Sequence, residues 1–168
     1  TNTKLLTCQS NRFVDKSASA HTLTAAGTPK ASAFTPFLTS AVYDSAVNGA
    51  SAYFGEYSVS GDSTVRLTLD GSGDSSSDFY YGTGAWTIEG WLYPTVSDSG
   101  YNAFYAEGQM MYFYVRDGRL DISIRYAQSP TTWILETYAS AAYTPVYQWH
   151  HFAVTYSSGT ASVFLNGV

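Results

Sequence analysis

Apolar and polar residues alternate along much of this chain with the period of two that is typical of half-buried β-strands. The clearest example is the run MYFYVRDGRLDISIRY at residues 111–126, in which two alternating segments flank Asp117 and Gly118. An Asp-Gly pair adopts the positive backbone angles of a two-residue hairpin turn. The pattern therefore predicts an antiparallel hairpin.

A second hairpin is predicted in FAVTYSSGTASVFLNG at residues 152–167, with its turn at 157–160. Helical periodicity is hard to find elsewhere, because Gly, Ser and Thr interrupt the windows that would carry it. We predict strands at residues 4–9, 21–25, 52–57, 64–69, 86–93, 103–106, 110–116, 119–126, 133–138, 150–156 and 161–166.

Short strands separated by turns predict an all-β protein, either a sandwich or a barrel, and both predicted hairpins are antiparallel. The length of 168 residues fits one domain, so we expect residues 1–168 to form a single domain. Aromatic residues make up 17% of the chain and charged residues only 12%. That composition favours strands over helices.

Charge and cysteine content exclude several function classes. The formal net charge of −5 argues against nucleic acid as a partner, because a surface that follows phosphates needs clustered Lys and Arg. Cys8 is the one cysteine, so an intrachain disulfide and Cys-x-x-Cys metal or redox motifs are excluded. No run approaches the roughly 18 apolar residues of a membrane helix, so we expect no membrane insertion.

Two segments together resemble a known family. GTGAWTIEGWLYPT at residues 82–95 and QWHHFAVTYSSGTASVFLNGV at residues 148–168 are similar to the paired signatures of laminin-G-like domains, which belong to the concanavalin A-like superfamily. The shared features are a strand of the form W-T-I-E-x-W-x-Y-P and, downstream, W-x-H-x-A-V-T with a Gly turn and a final N-G. The resemblance implies that residues 1–168 form a single antiparallel two-sheet jelly-roll sandwich.

The amino-terminal part, with F-x-D-x-S, H-T-L-T and F-x-P-F segments, resembles the opening of such domains in virion proteins of tailed phages, especially marine ones. This resemblance implies a non-enzymatic module on the virion surface, in a capsid decoration, tail or fibre protein. Its expected partners are other virion proteins or further copies of itself in a homo-oligomer, with host cell-surface glycans as an additional target. The alternative is a secreted bacterial carbohydrate-binding lectin domain.

The family pattern continues beyond the N-G segment with closing strands, whereas this sequence stops at Val168. The resemblance therefore implies either that C-terminal strands are missing or that another chain completes the sheet edge.

The adjacent His150 and His151 invite a metal-binding interpretation that strand geometry excludes. Neighbouring residues of a strand point to opposite faces, so the two imidazoles cannot chelate one ion together. We expect His150 on the core side and His151 on the opposite face. On its own strand Glu89 belongs to the outward set, and we predict a structural cross-strand hydrogen-bonded pair of Glu89 and His151.

Catalytic and metal chemistry have weak support in the sequence. Retaining glycosidases place two carboxylates about 5 Å apart, and the E-x-D-x-x-E motif of laminarinase-like members is absent here. We therefore expect no enzymatic activity. No cofactor is required by any motif, but Ca²⁺ is common in the superfamily, and the candidate ligands lie in one polar loop: Asp70, Asp74 and Asp78. The alternative is that this loop is simply solvated.

Aromatic side chains are the candidates for glycan contact, because their faces stack on the apolar faces of sugar rings. We predict such contacts for Tyr101, Tyr105 and Trp133, which belong to segments expected near loops at one end of the sandwich. Core and interface packing is the alternative for each of them.

Overall fold

A computed structural model describes most of the chain, namely residues 2–37, 44, 48–55, 65–69, 79, 81, 84–107, 111–128 and 131–168. Of residues 107, 125–128 and 131–143 it describes the backbone alone. The chain divides into two compact units, Thr1–Phe79 and Tyr80–Val168.

The described residues of the unit Thr1–Phe79 form two small antiparallel sheets. Strand β1 pairs with β4 in one sheet, and β2 pairs with β3 in the other. Their bounds are β1 Leu23–Ala26, β2 Lys30–Ser32, β3 Ser51–Tyr53 and β4 Arg66–Leu69.

The strand predicted at residues 4–9 does not form, and that prediction was wrong. The backbone of this segment bonds to a following loop instead of to a sheet. The Leu6 N–H donates to the Asp15 carboxylate at 2.9 Å, and the Leu6 carbonyl accepts from the Lys16 N–H at 2.7 Å. Cys8 also has a φ of 60°, which is incompatible with an extended strand.

In the unit Tyr80–Val168, the part of the chain that the structure describes forms seven strands in two antiparallel sheets. One sheet has the order β6-β7-β8-β9 and the other the order β11-β10-β5. The bounds are β5 Trp86–Leu92, β6 Asn102–Glu107, β7 Met111–Arg116, β8 Arg119–Gln128, β9 Thr131–Tyr143, β10 His150–Ser157 and β11 Thr160–Leu165.

Alternate residues of both sheets meet in one hydrophobic core. Phe152 of the three-stranded sheet packs against Phe104 and Phe113 of the four-stranded sheet, with ring centroids 5.0 and 6.4 Å away. Close face-to-face packing of this kind is what makes two sheets a sandwich. The buried members of the core are Leu92, Met111, Phe113, Val115, Leu120, Ile122, Ile124, Phe152, Val154 and Leu165.

Both hairpins predicted from the sequence are confirmed. Asp117 and Gly118 have φ of 49° and 69° between the paired Arg116 and Arg119, as a type I′ turn requires. Ser158 and Gly159, with φ of 51° and 83°, form the equivalent turn between β10 and β11. The all-β, antiparallel fold class is likewise confirmed.

Candidate functional site

The outer face of the three-stranded sheet brings together aromatic, acidic and imidazole side chains. The inward residues of β5 and β10 fill the core, so the intervening residues point away from it, as strand alternation predicts. Strand register then decides which outward residues are neighbours. Trp91 pairs with His151, while Ala153 pairs with both Glu89 and Phe164. We call these five residues the aromatic face.

The aromatic face is open to solvent. Trp91 is 44% exposed and Phe164 is 38% exposed, although both belong to regular strands. The small Ala153 separates Phe164 from Glu89 across the sheet. The next row along the sheet carries only hydroxyl side chains, because Thr155 pairs with Thr87 on one side and Ser162 on the other. This face therefore offers apolar ring surface beside hydrogen-bonding groups.

Glu89 and His151 approach each other on the aromatic face. The Glu89 Oε2 atom lies 4.0 Å from His151 Nε2, and the two side chains are 67% and 31% exposed. This separation falls within the range of an ion pair but exceeds that of a direct hydrogen bond. The His151 ring packs edge-on against Trp91, with centroids 5.1 Å apart. The tryptophan thus orients the imidazole beside the carboxylate.

His150 has a different environment on the opposite side of the strand. It is buried, and its Nε2 lies 2.9 Å from the Pro145 carbonyl oxygen. Its Nδ1 lies 3.3 Å from the Asn166 side-chain nitrogen, and the Asn166 Oδ1 accepts from the His151 N–H at 3.0 Å. An Nε2–H tautomer, with Nδ1 as acceptor, satisfies both ring contacts. Through its contact with Asn166, His150 connects the start of β10 to the residue that follows β11.

Tyr101 belongs to a second group of polar and aromatic residues, on the outer face of the four-stranded sheet. Tyr101 is 63% exposed, and its ring packs edge-on against Tyr114 at 5.0 Å. The Arg116 guanidinium lies 4.9 Å from the Tyr101 ring centroid and donates to its hydroxyl at 3.1 Å. Arg116 therefore covers part of the Tyr101 ring.

Arg116 also forms a salt bridge with Asp121, at 3.1 Å. Burial raises the pKa of the Asp121 carboxyl, and the charge of Arg116 offsets part of this effect. Among the described atoms, Asp121 Oδ1 has no hydrogen-bond partner. The Arg116 guanidinium already contacts both Tyr101 and Asp121. The residues around Tyr101 therefore offer a ligand fewer hydrogen-bonding groups than the aromatic face does.

The other predicted glycan contacts occupy different environments. Tyr105 is partly buried against the core, and its hydroxyl hydrogen bonds to that of Tyr81. A register irregularity between Ala103 and Tyr105 accompanies the packing of both Phe104 and Tyr105 against Phe113. Trp133 belongs to β9, and its side chain lies outside the described residues. All three glycan contacts stay predictions.

The predicted calcium ligands Asp70, Asp74 and Asp78 lie outside the described residues. In the part of the chain that is described, no group of three or more His, Cys, Asp or Glu residues is arranged to hold a metal ion. Nor does any helix among those residues have the length and apolar character needed to cross a membrane.

Sequence reasoning assigned no role to Trp91 or Phe164. The available signal was the alternation itself, since an aromatic residue on the outward set of a sandwich strand has no core to fill. The pairing of β5 and β11 on either side of β10 could not be read from that signal. Only the register places the two aromatic residues on one face.

Comparison with known proteins identifies a family from the C-terminal part of the chain. Residues 70–168, more than half of the chain, match a laminin G family model described as the concanavalin A-like lectin/glucanases superfamily. No curated protein and no solved structure gives a significant match. The match agrees with the antiparallel sandwich of the unit Tyr80–Val168.

Proposed function

We propose that this chain, which belongs to the concanavalin A-like lectin/glucanases superfamily, is a non-catalytic module that binds carbohydrate on the aromatic face. The observation that carries this proposal is the exposure of Trp91, 44% open to solvent within a regular strand. An indole ring held by a sheet provides a flat apolar surface for a sugar ring without a large loss of side-chain entropy. Glu89, His151 and the adjoining row of hydroxyl groups supply directional hydrogen bonds.

The carboxylate content of the same sheet supports binding without hydrolysis. Glycoside hydrolysis in most families requires a pair of carboxyl groups that flank the scissile bond. Strands β5, β10 and β11 are fully described, and Glu89 is the one carboxylate among their residues. Its close neighbour on the face is an imidazole, 4.0 Å away. We therefore expect bound oligosaccharides to be released intact.

Glycan binding by the wild-type chain and by Trp91→Ala tests the proposal. We expect the wild type to bind a subset of glycans on an array. Trp91→Ala should lose at least about tenfold in affinity, since burial of a large apolar side chain contributes about 1.5–3 kcal/mol. Tyr101→Ala tests the competing surface, because Tyr101 is another predicted glycan contact and its exposed ring lies on the side of the four-stranded sheet. Circular dichroism of each variant checks that the fold is intact.

Loss of binding in Tyr101→Ala with full binding in Trp91→Ala would move the site to the four-stranded sheet and contradict the proposed surface. Release of new reducing ends from the bound glycans would contradict the non-catalytic role.

We further propose that the module acts at a virion surface, where it makes assembly contacts with other virion proteins and adheres to host glycans. The support is the resemblance of residues 5–37 to the opening of such domains in phage virion proteins. Immunogold labelling of purified particles from a producing culture tests the location. Labelled particles are the expected result, whereas free protein in the medium with unlabelled particles would favour a secreted bacterial lectin domain.

A further inference from the structure

The gap between Glu89 and His151 has the dimensions and polarity for a single hydroxyl group. Glu89 Oε2 and His151 Nε2 lie 4.0 Å apart, too far for a direct hydrogen bond, and both side chains are accessible to solvent. A hydroxyl oxygen placed beside both atoms would reach each of them. The packing of His151 against Trp91, with ring centroids 5.1 Å apart, holds the imidazole next to the exposed indole ring.

The two groups complement each other in hydrogen bonding. An ionised carboxylate only accepts hydrogen bonds, whereas an imidazole N–H donates. A sugar hydroxyl does both, so it can donate to Glu89 while it accepts from His151 Nε2–H. A ring stacked on Trp91 would present its hydroxyl groups at its edge, toward this pair.

The charge of the face restricts the ligand further. Strands β5, β10 and β11 contain no Lys or Arg in any of their residues, all of which the structure describes. A carboxylate or sulfate on the ligand would therefore meet the charge of Glu89 with no Lys or Arg of these strands to offset it. At contact distance in a solvated site, one such pair of like charges costs a factor of at least about five in affinity.

On the basis of the proposed carbohydrate-binding function, we infer that the aromatic face selects neutral sugars over acidic ones. A ring hydroxyl of the ligand bridges Glu89 and His151, the apolar face of the same ring lies on Trp91, and the Glu89 carboxylate repels uronic acids. Glu89 is in this way a specificity-determining residue, whereas Trp91 provides affinity for either class.

Matched oligosaccharides that differ only at C6 test this inference. Suitable pairs are β-1,4-mannotetraose with the β-1,4-mannuronate tetramer, and α-1,4-galactotetraose with the α-1,4-galacturonate tetramer. Titration calorimetry with the full chain is expected to give at least about fivefold tighter binding of the neutral member of a bound pair. Because exposed charges are screened by salt, this ratio should fall as ionic strength rises.

Glu89→Gln separates charge from hydrogen bonding. The amide oxygen still accepts from a sugar hydroxyl, but the repulsion of a carboxylate is removed. We expect the neutral-to-acidic ratio to fall toward one in this variant, while affinity for the neutral member changes by less than about threefold. Asp117→Asn is the matched control, since it removes the same charge from an exposed turn of the other sheet and should leave the ratio unchanged.

Three results would overturn the inference: preference for the acidic members, an unchanged ratio in Glu89→Gln, or binding of none of the four sugars. The proposed function is judged separately by the glycan array. Any array glycan whose binding depends on Trp91 upholds carbohydrate binding even where the selectivity fails, whereas absence of binding to every glycan overturns both.

Discussion

Asp15 shows how one buried carboxylate organises an irregular segment. Its oxygens accept hydrogen bonds from the backbone N–H groups of Leu6, Ser17 and His21 and from the Ser17 hydroxyl, at 2.8–2.9 Å. Burial raises the pKa of Asp15, but the four hydrogen bonds outweigh it and lower the pKa to about 2. The residue belongs to the F-x-D-x-S motif that the sequence made visible, although its structural role did not follow from the motif.

This pKa predicts acid sensitivity of the unit Thr1–Phe79. The folded-state value of about 2 lies below the ordinary 3.8, so ionised Asp15 stabilises the fold above about pH 4. That contribution is lost as the pH falls from about 4 to about 2. Asp15→Asn should cost about 1.5–3 kcal/mol at neutral pH, because it weakens hydrogen bonds to a charged acceptor. Thermal unfolding between pH 2 and 7 measures both effects.

Ser17→Ala provides a graded comparison, since it removes one of the four donors and should cost less than Asp15→Asn. Amide hydrogen exchange at Leu6, Ser17 and His21 should accelerate in Asp15→Asn. An acid unfolding limb identical to that of the wild type would contradict this account.

Gly90 controls the packing of strand β5 against the core. Glycine weakens a strand interior, so its presence among the apolar inward positions of β5 needs a packing reason. Gly90 pairs with Phe152 across the sheet, and a Cβ atom at this position would lie 3.1 Å from Phe152 Cε1 and 3.3 Å from Cζ. The space that a side chain would fill is thus occupied by the phenylalanine ring.

Gly90→Ala should therefore destabilise the protein. The added methyl group would push Phe152 away from Phe104 and Phe113, and overpacking of this kind costs about 1–3 kcal/mol. Gly84→Ala is the matched control, because no atom lies within 4 Å of the added Cβ. Urea unfolding of the two variants gives the comparison. Equal unfolding free energies in both would show that Phe152 accommodates the methyl group without strain.

Elements defined by local chemistry were predictable, and elements defined by distant contacts were not. The Asp117–Gly118 pair specifies its own hairpin, because few structures other than a two-residue hairpin turn need positive φ at two adjacent residues. By contrast, residues 4–9 have strand-like composition, but the Leu6 N–H donates to the Asp15 carboxylate and not to a neighbouring strand. The short β2 strand was missed because three residues carry too little pattern to detect.

At the scale of the whole molecule, the sequence predicted the class of fold but not the assembly of the site. Alternation placed Glu89 and His151 on outward sets of two strands far apart in the chain. Their 4.0 Å approach depends on the pairing of Trp91 with His151, which is a non-local choice of register. Phe164 joins the face for the same reason. The expectation that residues 1–168 form a single domain stays a prediction. In the structure the chain divides into two compact units.

A binding surface on the flat outer side of a sheet has a consequence for how the whole molecule works. Such a face buries little of the ligand's surface. The favourable contacts made by one copy therefore exceed the entropy cost of association by only a small margin, and its affinity is low. Adhesion at a virion surface would then depend on repeated copies, which raise apparent affinity by about a hundredfold to ten-thousandfold without new contacts. We therefore expect the chain to form a symmetric homo-oligomer at micromolar concentration.

Two measurements test this expectation. Light scattering after size exclusion gives the mass of the oligomer, and interferometry compares binding to a dense glycan surface with binding to the same glycan free in solution. Trp91→Ala should keep the oligomeric mass and lose surface binding, whereas a monomer that binds both forms of the glycan equally would contradict a role in multivalent adhesion.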